Sequence, residues 1–130
     1  PRPVHIGHGE KNIQFSRNTD WVKTNLINRI ELLEEGDGYR EERTGLHERE
    51  FIETRRLWFE KPVCRDTQNG VQVLNLVEGN EAIVQSPSGA FEPFRVHYAE
   101  TFIIPASVGK FELVPENGER CGVIRAYVRT

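Results

Sequence analysis

The stretch from residue 71 to 106 constrains the fold more than any other part of the chain. It consists of short apolar runs separated by turn residues, and it reads VQVLNLVEGNEAIVQSPSGAFEPFRVHYAETFIIPA. Glu-Gly and Ser-Pro-Ser-Gly interrupt the runs at the spacing of roughly 8–12 residues that is typical of all-β domains. We therefore predict a small antiparallel β-barrel or jelly roll.

The same pattern covers the chain from residue 46 onward. Thr54-Arg55-Arg56 is predicted as a turn, and Asn69-Gly70, a strong turn signal, as another. The predicted strands are 47–53, 57–63, 71–77, 81–85, 91–96, 101–104, 110–114 and 121–129.

Residues 1–45 are predicted to form a linker and N-terminal extension that packs on a barrel formed by residues 46–130. Residues 4–15 begin extended and then form a short helical turn. Residues 21–33 carry apolar side chains near helical spacing, so this segment is either a helix or two strands around Asn25 or Asn28. Residues 34–45 are charged and contain glycine, which predicts a loop.

Length and charge exclude several classes of function. The 130 residues suffice for one domain with a sizeable core. The 20 acidic and 17 basic residues are interspersed, and no basic stripe with interleaved aromatic residues occurs, so nucleic acid is not an expected partner. The apolar runs are far too short to span a membrane, so no membrane association is expected.

The cysteines and the first residues give expectations about context. Cys64 and Cys121 are the only two cysteines, and isolated cysteines in a domain with an adequate core are more often free than bonded. Together with the lack of a recognisable secretory signal, this favours a cytoplasmic protein. The sequence starts at Pro1 and contains no methionine, so we expect it to be a piece of a longer protein.

Several stretches resemble the cupin superfamily, and more narrowly the C-terminal cupin of type I mannose-6-phosphate isomerases. They are VLNLVEGNEAIV, FRVHYAETFIIPASVGKFEL and the terminal CGVIRAYV. The N-terminal RPVHIGHGEKNIQF also resembles that family's link between the catalytic core and the C-terminal cupin. The resemblance implies an all-β, RmlC-like jelly roll preceded by a short helical segment.

The resemblance also implies a role. The family interconverts mannose 6-phosphate and fructose 6-phosphate with a zinc ion that polarises the substrate oxygens. Its metal ligands and substrate-binding segments lie upstream of the stretch that matches this chain. We therefore expect the non-catalytic C-terminal portion of such an isomerase, with no catalytic residue or cofactor of its own, an upstream catalytic cupin as partner, and zinc in the parent enzyme.

A metal site of the usual cupin type is not predicted. Such sites use two histidines and a glutamate from one strand pair and a third histidine after the proline turn. Here Glu60 is the only oxygen ligand of strand 57–63, and Phe111 stands where the late histidine would be. His47, Glu60 and His97 would form an unusual site only if all three faced the barrel interior. The commoner outcome is a solvated His47 and a His97 in a turn.

Arg55 and Arg95 are the candidate ligands for a substrate, because arginine binds phosphate by paired hydrogen bonds. Arg56 is adjacent to Arg55, and neighbouring residues on a strand point to opposite faces, so only one of them reaches a common site. Two alternatives to the isomerase portion stay open. One is a free-standing cupin that binds a sugar or sugar phosphate, and the other is a metal cupin with the unusual ligands named above.

Overall fold

The computed structural model describes residues 3–26, 30–44 and 50–129. Within these residues the chain forms two short helices, ten strands and one 3₁₀ turn. Their bounds are α1 Ile6–Asn12, α2 Thr19–Asn25, β1 Glu31–Gly36, β2 Tyr39–Arg43, β3 Ile52–Phe59, β4 Val63–Asp66, β5 Gln72–Glu78, β6 Glu81–Gln85, β7 Phe94–His97, β8 Thr101–Ile104, the 3₁₀ turn Ala106–Val108, β9 Lys110–Pro115 and β10 Cys121–Val128.

The strands form two antiparallel sheets. The larger sheet has the order β1-β2-β3-β10-β5-β8, and the smaller has the order β4-β9-β6-β7. Strands distant in sequence are neighbours, for example β3 and β10, as in a jelly roll. The predicted all-β architecture is confirmed.

One apolar core lies between the sheets, and strand alternation builds it. On β5 the side chains of Leu74 and Leu76 are fully buried, whereas Val73 and Val77, which flank this pair, are exposed. This two-residue period is what a strand with one buried face requires. The largest apolar side chains that are fully buried are Phe59, Phe111, Leu57, Leu74, Leu76, Ile104 and Leu113.

Two of the turns that the sequence predicted lie where expected. Gly79 connects β5 and β6 with φ +88°, a conformation that glycine adopts without steric cost. Gln68 and Asn69 both have positive φ before β5, which confirms the turn predicted at Asn69-Gly70.

The predicted loop 34–45 is described only as far as Thr44, and residues 34–44 do not form a loop. β1 and β2 form a hairpin whose register pairs Gly36 with Tyr39, so that Asp37 and Gly38 make a two-residue turn. Asp-Gly is a strong hairpin signal, and the high charge of the segment obscured it. β2 pairs with β3, so strands N-terminal to the expected division at residue 45 belong to the larger sheet.

The segment 21–33 changes structure along its length. α2 accounts for its first residues, and Asn18 starts this helix by accepting a hydrogen bond from the backbone N–H of Trp21 at 2.9 Å. The second half enters β1 at Glu31. A single helix over the segment is therefore wrong, because pairing with β2 outweighs the apolar spacing.

The predicted turn at Thr54-Arg55-Arg56 is also wrong. These residues lie in the middle of β3 and pair with β10 in continuous register. Their charges suggested a surface turn, but Arg55 points inward and is balanced by carboxylates inside the barrel.

The helices at the N-terminus bury no residue. The short helix predicted within residues 4–15 is confirmed as α1. Val4 and Phe15, on either side of it, are 84% and 73% exposed. Neither helix is long and apolar enough to cross a membrane, and no other helix in the described ranges is. Cys64 and Cys121 are free, as expected.

Candidate ligand-binding site

One part of the barrel interior is charged instead of apolar, and strand register explains its composition. Arg125 on β10 lies opposite Arg55 on β3, which in turn lies opposite Arg43 on β2. On β10 the side chain of Arg125 follows buried Val123 on the inward face. We call this group the arginine cluster. Its members are Arg43, Arg55, Arg65, Arg125 and Arg129, with Glu41 and Glu53 among them.

Glu53 is the most strongly bound carboxylate of the arginine cluster. Arg43 Nε and Arg55 Nε donate to its Oε1 at 2.9 and 3.1 Å, and Arg129 Nε donates to its Oε2 at 2.7 Å. Burial by itself would raise the pKa of Glu53, but the three guanidinium groups outweigh it and lower the pKa to about 2. Glu53 is therefore a fixed negative charge at neutral pH.

Glu41 has close charges but poor hydrogen bonds. Its side chain is 3% exposed, and its carboxylate lies 3.3 Å from Arg65 Nε, 3.5 Å from Arg125 Nη1 and 3.8 Å from Arg55 Nη1. None of these contacts has hydrogen-bond geometry, and Oε1 has no hydrogen-bond partner among the described residues. The carboxylate of Glu41 therefore lies between three guanidinium groups without a hydrogen bond to any of them.

Two tyrosines hold the arginines in place. The guanidinium carbon of Arg65 lies 4.9 Å from the ring centre of Tyr39. On the other side, Tyr127 lies 5.5 Å from Arg55 and 4.9 Å from Arg125. Stacking on aromatic faces fixes the plane of a guanidinium group, so the donors are oriented before any ligand arrives.

Burial affects Arg125 more than any other member. Its side chain is 3% exposed, and desolvation lowers the pKa of the guanidinium, with Glu41 opposing that effect. Since arginine stays protonated in proteins, the barrel contains a cation that its surroundings only partly compensate.

The unusual metal site is not assembled from the residues that the structure describes. Glu60 is exposed beside the larger sheet, directly after β3, whereas His97 is exposed at the end of β7 in the smaller sheet. His47 lies outside the described residues. In the described ranges no group of three or more His, Cys, Asp and Glu side chains is placed to hold a metal ion.

The donor set inside the barrel does not fit a cation either. Glu41 and Glu53 are the carboxylates there, and each lies among guanidinium groups. Phe111, at the position of the expected late histidine, is a fully buried core residue. The interior chemistry therefore suits a negatively charged group and not a metal.

The two predicted substrate ligands lie on different sheets and contact different carboxylates. Arg55 belongs to the arginine cluster. Arg95 lies on β7 of the other sheet, where it is half exposed and contacts Glu81 at 3.3 Å and Glu116 at 2.7 Å. The structure brings Arg55 together with arginines that the sequence did not single out, and leaves Arg95 outside this group.

A second, exposed charged group surrounds Arg95. His97 Nδ1 lies 3.1 Å from Glu100 Oε2, and His97 Nε2 lies 3.4 Å from Glu81 Oε1. A hydrogen bond with Glu81 raises the pKa of Glu116, while the backbone N–H of His97 lowers that of Glu100. These residues form a surface ion-pair network, in which each pair contributes little.

Sequence reasoning missed Glu41, Arg65 and Arg125. A signal for Arg125 existed, because it continues the alternation of Cys121 and Val123 and is thus a charge at an inward position of an apolar strand. Glu41 gave no such signal, since its neighbours Arg40 and Glu42 are also charged, and the four-residue strand of Arg65 is too short to show an alternation. Only the pairing of β2, β4 and β10 around one interior brings them together.

Comparison with known proteins supports the fold. No family model and no curated protein matches the sequence. Among solved structures, a cupin-2 domain protein of Rhodospirillum rubrum aligns at a TM-score of 0.63 and 10% identity, covering 78% of this chain and 70% of that one. An RmlC-like cupin from Shewanella frigidimarina aligns at 0.59 and 18% identity, covering 81% and 88%.

A third likeness is KdgF from Halomonas sp., at a TM-score of 0.56 and 13% identity, covering 77% of this chain and 89% of that one. None of these three proteins is described as a mannose-6-phosphate isomerase. Identities this low show shared architecture and not shared activity. The chain therefore has the cupin fold, an RmlC-like jelly roll with two short N-terminal helices.

Proposed function

We propose that this chain is the C-terminal, non-catalytic cupin portion of a mannose-6-phosphate isomerase-like protein, packed against an upstream catalytic cupin. The observation that carries the proposal is the N-terminal segment, residues 3–26, whose apolar side chains the barrel does not cover. Val4, Ile6, Ile13, Phe15 and Leu26 are each more than half exposed.

This many exposed apolar side chains in one segment indicate that a partner surface packs on it. Burial stabilises a protein by about 25 cal/mol per Å² of apolar area removed from water. The exposed apolar side chains of the segment would therefore gain a large stabilisation if another surface covered them. Residues 2–15 are also the stretch that resembles the family's link to its catalytic core. A partner on this segment would thus be the upstream domain of the same protein.

The chemistry of the whole enzyme belongs to that upstream domain in this proposal. Zinc bound there would polarise the sugar oxygens during isomerisation. The barrel described above would supply packing and one wall of the site. We also propose a cytoplasmic location, because free Cys64 and Cys121 suit a reducing compartment.

The proposal is tested on the natural full-length product. We expect that product to be longer than 130 residues, to contain zinc and to interconvert mannose 6-phosphate and fructose 6-phosphate, whereas the isolated chain does neither. Amide hydrogen exchange in residues 3–26 should be slower in the full-length product than in the isolated chain. A natural product of the same mass as this chain, or zinc-dependent isomerase activity in the isolated chain, would contradict the proposal.

Variants sharpen the test. In the full-length product, Ile6→Ser combined with Phe15→Ser should restore fast exchange in residues 3–26. Tyr98→Ser is the matched control, because Tyr98 is 64% exposed but lies after β7, away from the segment in sequence. It should leave that exchange unchanged.

A second candidate function is a free-standing cupin that binds a sugar or sugar phosphate. The arginine cluster favours it, since the buried nitrogens of Arg65 and Arg125 that have no partner among the described residues suit an anionic ligand. Binding by the isolated chain, which the first proposal does not require, distinguishes the two.

A further inference from the structure

Arg125 is a buried cation whose Nε has no hydrogen-bond acceptor among the described residues. Its side chain is 3% exposed, and its nearest carboxylate contact is Nη1 to Glu41 Oε1 at 3.5 Å. Its Nε is buried and makes no hydrogen bond within the described part of the chain. A buried donor without an acceptor costs about 1–3 kcal/mol, and more when charged, so its retention calls for an explanation.

Arg65 reaches the same place from the smaller sheet. Its side chain is 10% exposed, with Nε 3.3 Å from Glu41 and Nη2 3.5 Å from Glu34. Both nitrogens are buried and have no hydrogen-bond partner in the described ranges, although Nη1 donates to the carbonyl of Cys64 at 2.8 Å. Free donors of two arginines, one from each sheet, therefore lie around Glu41.

The charges in the interior of the arginine cluster do not balance. Among the described residues, the three least exposed arginines of the cluster are Arg55, Arg65 and Arg125, and the buried carboxylates that they contact are two, Glu41 and Glu53. The other two carboxylates, Glu31 and Glu34, are more than half exposed and screened by water. The interior thus has an excess of positive charge.

The same residues indicate how a ligand reaches the arginine cluster and which chemical groups it needs. Arg55 and Arg43 are 21% and 33% exposed, so the cluster extends from the interior to the surface. Glu41 Oε1 is a buried acceptor to which no described residue donates. A ligand that satisfies this set needs oxyanion oxygens for the arginines and a hydroxyl group that donates to Glu41.

We propose that the arginine cluster is a binding site for a hydroxylated oxyanion, a small molecule whose phosphate or carboxylate group binds between Arg65 and Arg125. Guanidinium groups match the geometry of both anions with paired hydrogen bonds. The two tyrosine rings position these groups in advance, which lowers the entropic cost of binding. The inference gives the second candidate function its site and does not depend on the accessory role.

The experiment is calorimetric titration of the whole 130-residue chain. Mannose 6-phosphate and gluconate represent the two anion classes with hydroxyl groups, inorganic phosphate lacks a carbon skeleton, and mannose lacks the charge. We expect binding of one or both hydroxylated anions, weaker binding of phosphate and none of mannose. The stronger of the two hydroxylated anions identifies the anionic group. Absence of binding by both, or equal binding of mannose, would overturn the inference.

Variants test the assignment of the site. Arg125→Met should weaken binding by roughly tenfold to a hundredfold, because charge-assisted hydrogen bonds to the anion are lost. The free energy of unfolding should not fall below that of the wild type, because the substitution removes an uncompensated buried charge. Arg95→Met is the matched control and should bind normally. Equal weakening by both variants, or normal binding by Arg125→Met, would refute the site.

A second readout covers the case in which Arg125→Met does not fold. Arg65→Lys keeps the positive charge but loses the paired N–H donors of the guanidinium group, so it should weaken binding while the chain still folds. In the wild type, the side-chain Nε–H resonances of Arg65 and Arg125 should shift on addition of the bound anion. Unmoved resonances together with normal binding by Arg65→Lys would refute the site.

Discussion

Glu53 accepts hydrogen bonds from three arginines while only 2% of the residue is exposed. Its neighbour in the interior, Glu41, contacts three arginines without a hydrogen bond to any of them. The two carboxylates thus have different roles although both are buried. Glu53 stabilises the fold, whereas Glu41 leaves donors free around it.

The first prediction concerns Glu53→Gln. The pKa of Glu53 is about 2 in the folded chain and 4.5 for a free side chain, so ionised Glu53 stabilises the fold above pH 4.5. That contribution is lost as the pH falls from 4.5 towards 2. At neutral pH, Glu53→Gln should lower the free energy of unfolding by about 3 kcal/mol in urea denaturation.

The control for this prediction is Glu31→Gln. Glu31 contacts the same Arg43 at 2.7 Å but is 62% exposed, so the loss should be about 0–1 kcal/mol. The difference between the two variants should shrink as the pH falls below 4.5. Equal losses from Glu31→Gln and Glu53→Gln, or a difference independent of pH, would show that Glu53 is not the fixed charge described above.

Strands with two-residue alternation were found from the sequence to within a few residues. β6 and β8 have the predicted bounds, and β9 differs by one residue at its end. The elements that were mistaken are the hairpin of β1 and β2, the middle of β3, and β4, which was predicted partly as the end of strand 57–63 and partly as a turn. Charged side chains such as Glu41, Arg55 and Arg65 stand at inward positions of these strands. A pattern that assigns apolar residues to the interior cannot recognise strands whose inward side chains neutralise one another.

The turn between β5 and β6 provides the second prediction. Gly79 has φ +88°, and a Cβ there would lie 2.8 Å from Cys121 Sγ and 3.0 Å from the Arg120 carbonyl oxygen. Gly79→Ala should therefore cost about 1–2 kcal/mol for the backbone and about 1–3 kcal/mol for overpacking, seen as a lower thermal midpoint.

Gly89→Ala separates these two contributions. Gly89 has φ +70°, but a Cβ there would meet nothing within 4 Å. It should show the backbone cost alone, so it should unfold at a higher temperature than Gly79→Ala. Identical midpoints would mean that the contact with Cys121 relaxes without cost.

Two parts of the molecule differ in how they are stabilised. The barrel has an apolar core between two sheets, with Phe59 and Phe111 fully buried. The N-terminal segment forms α1 and α2 but buries no residue of either helix. Gly7 and Gly9 within α1 add to its weakness, since glycine is the least favourable helix residue after proline.

The third prediction follows from this difference. In the isolated chain, Ile6→Ser combined with Phe15→Ser should change the free energy of unfolding by no more than about 0.5 kcal/mol, as is usual for exposed positions. Phe111→Ala, in the core, should cost about 3–5 kcal/mol. Chemical denaturation followed by tryptophan fluorescence measures both. A large loss from the N-terminal variant would show that the segment packs on the barrel.

The sequence by itself determined the all-β architecture, most strand positions and the turns at glycine and asparagine, because these depend on alternation and local backbone conformation. It also indicated the cupin fold, through stretches of local sequence. The arginine cluster was decided only by the tertiary structure. Arg55, Arg65, Arg125 and Glu41 come from four strands on two sheets, and only the register between distant strands places their charges within one interior.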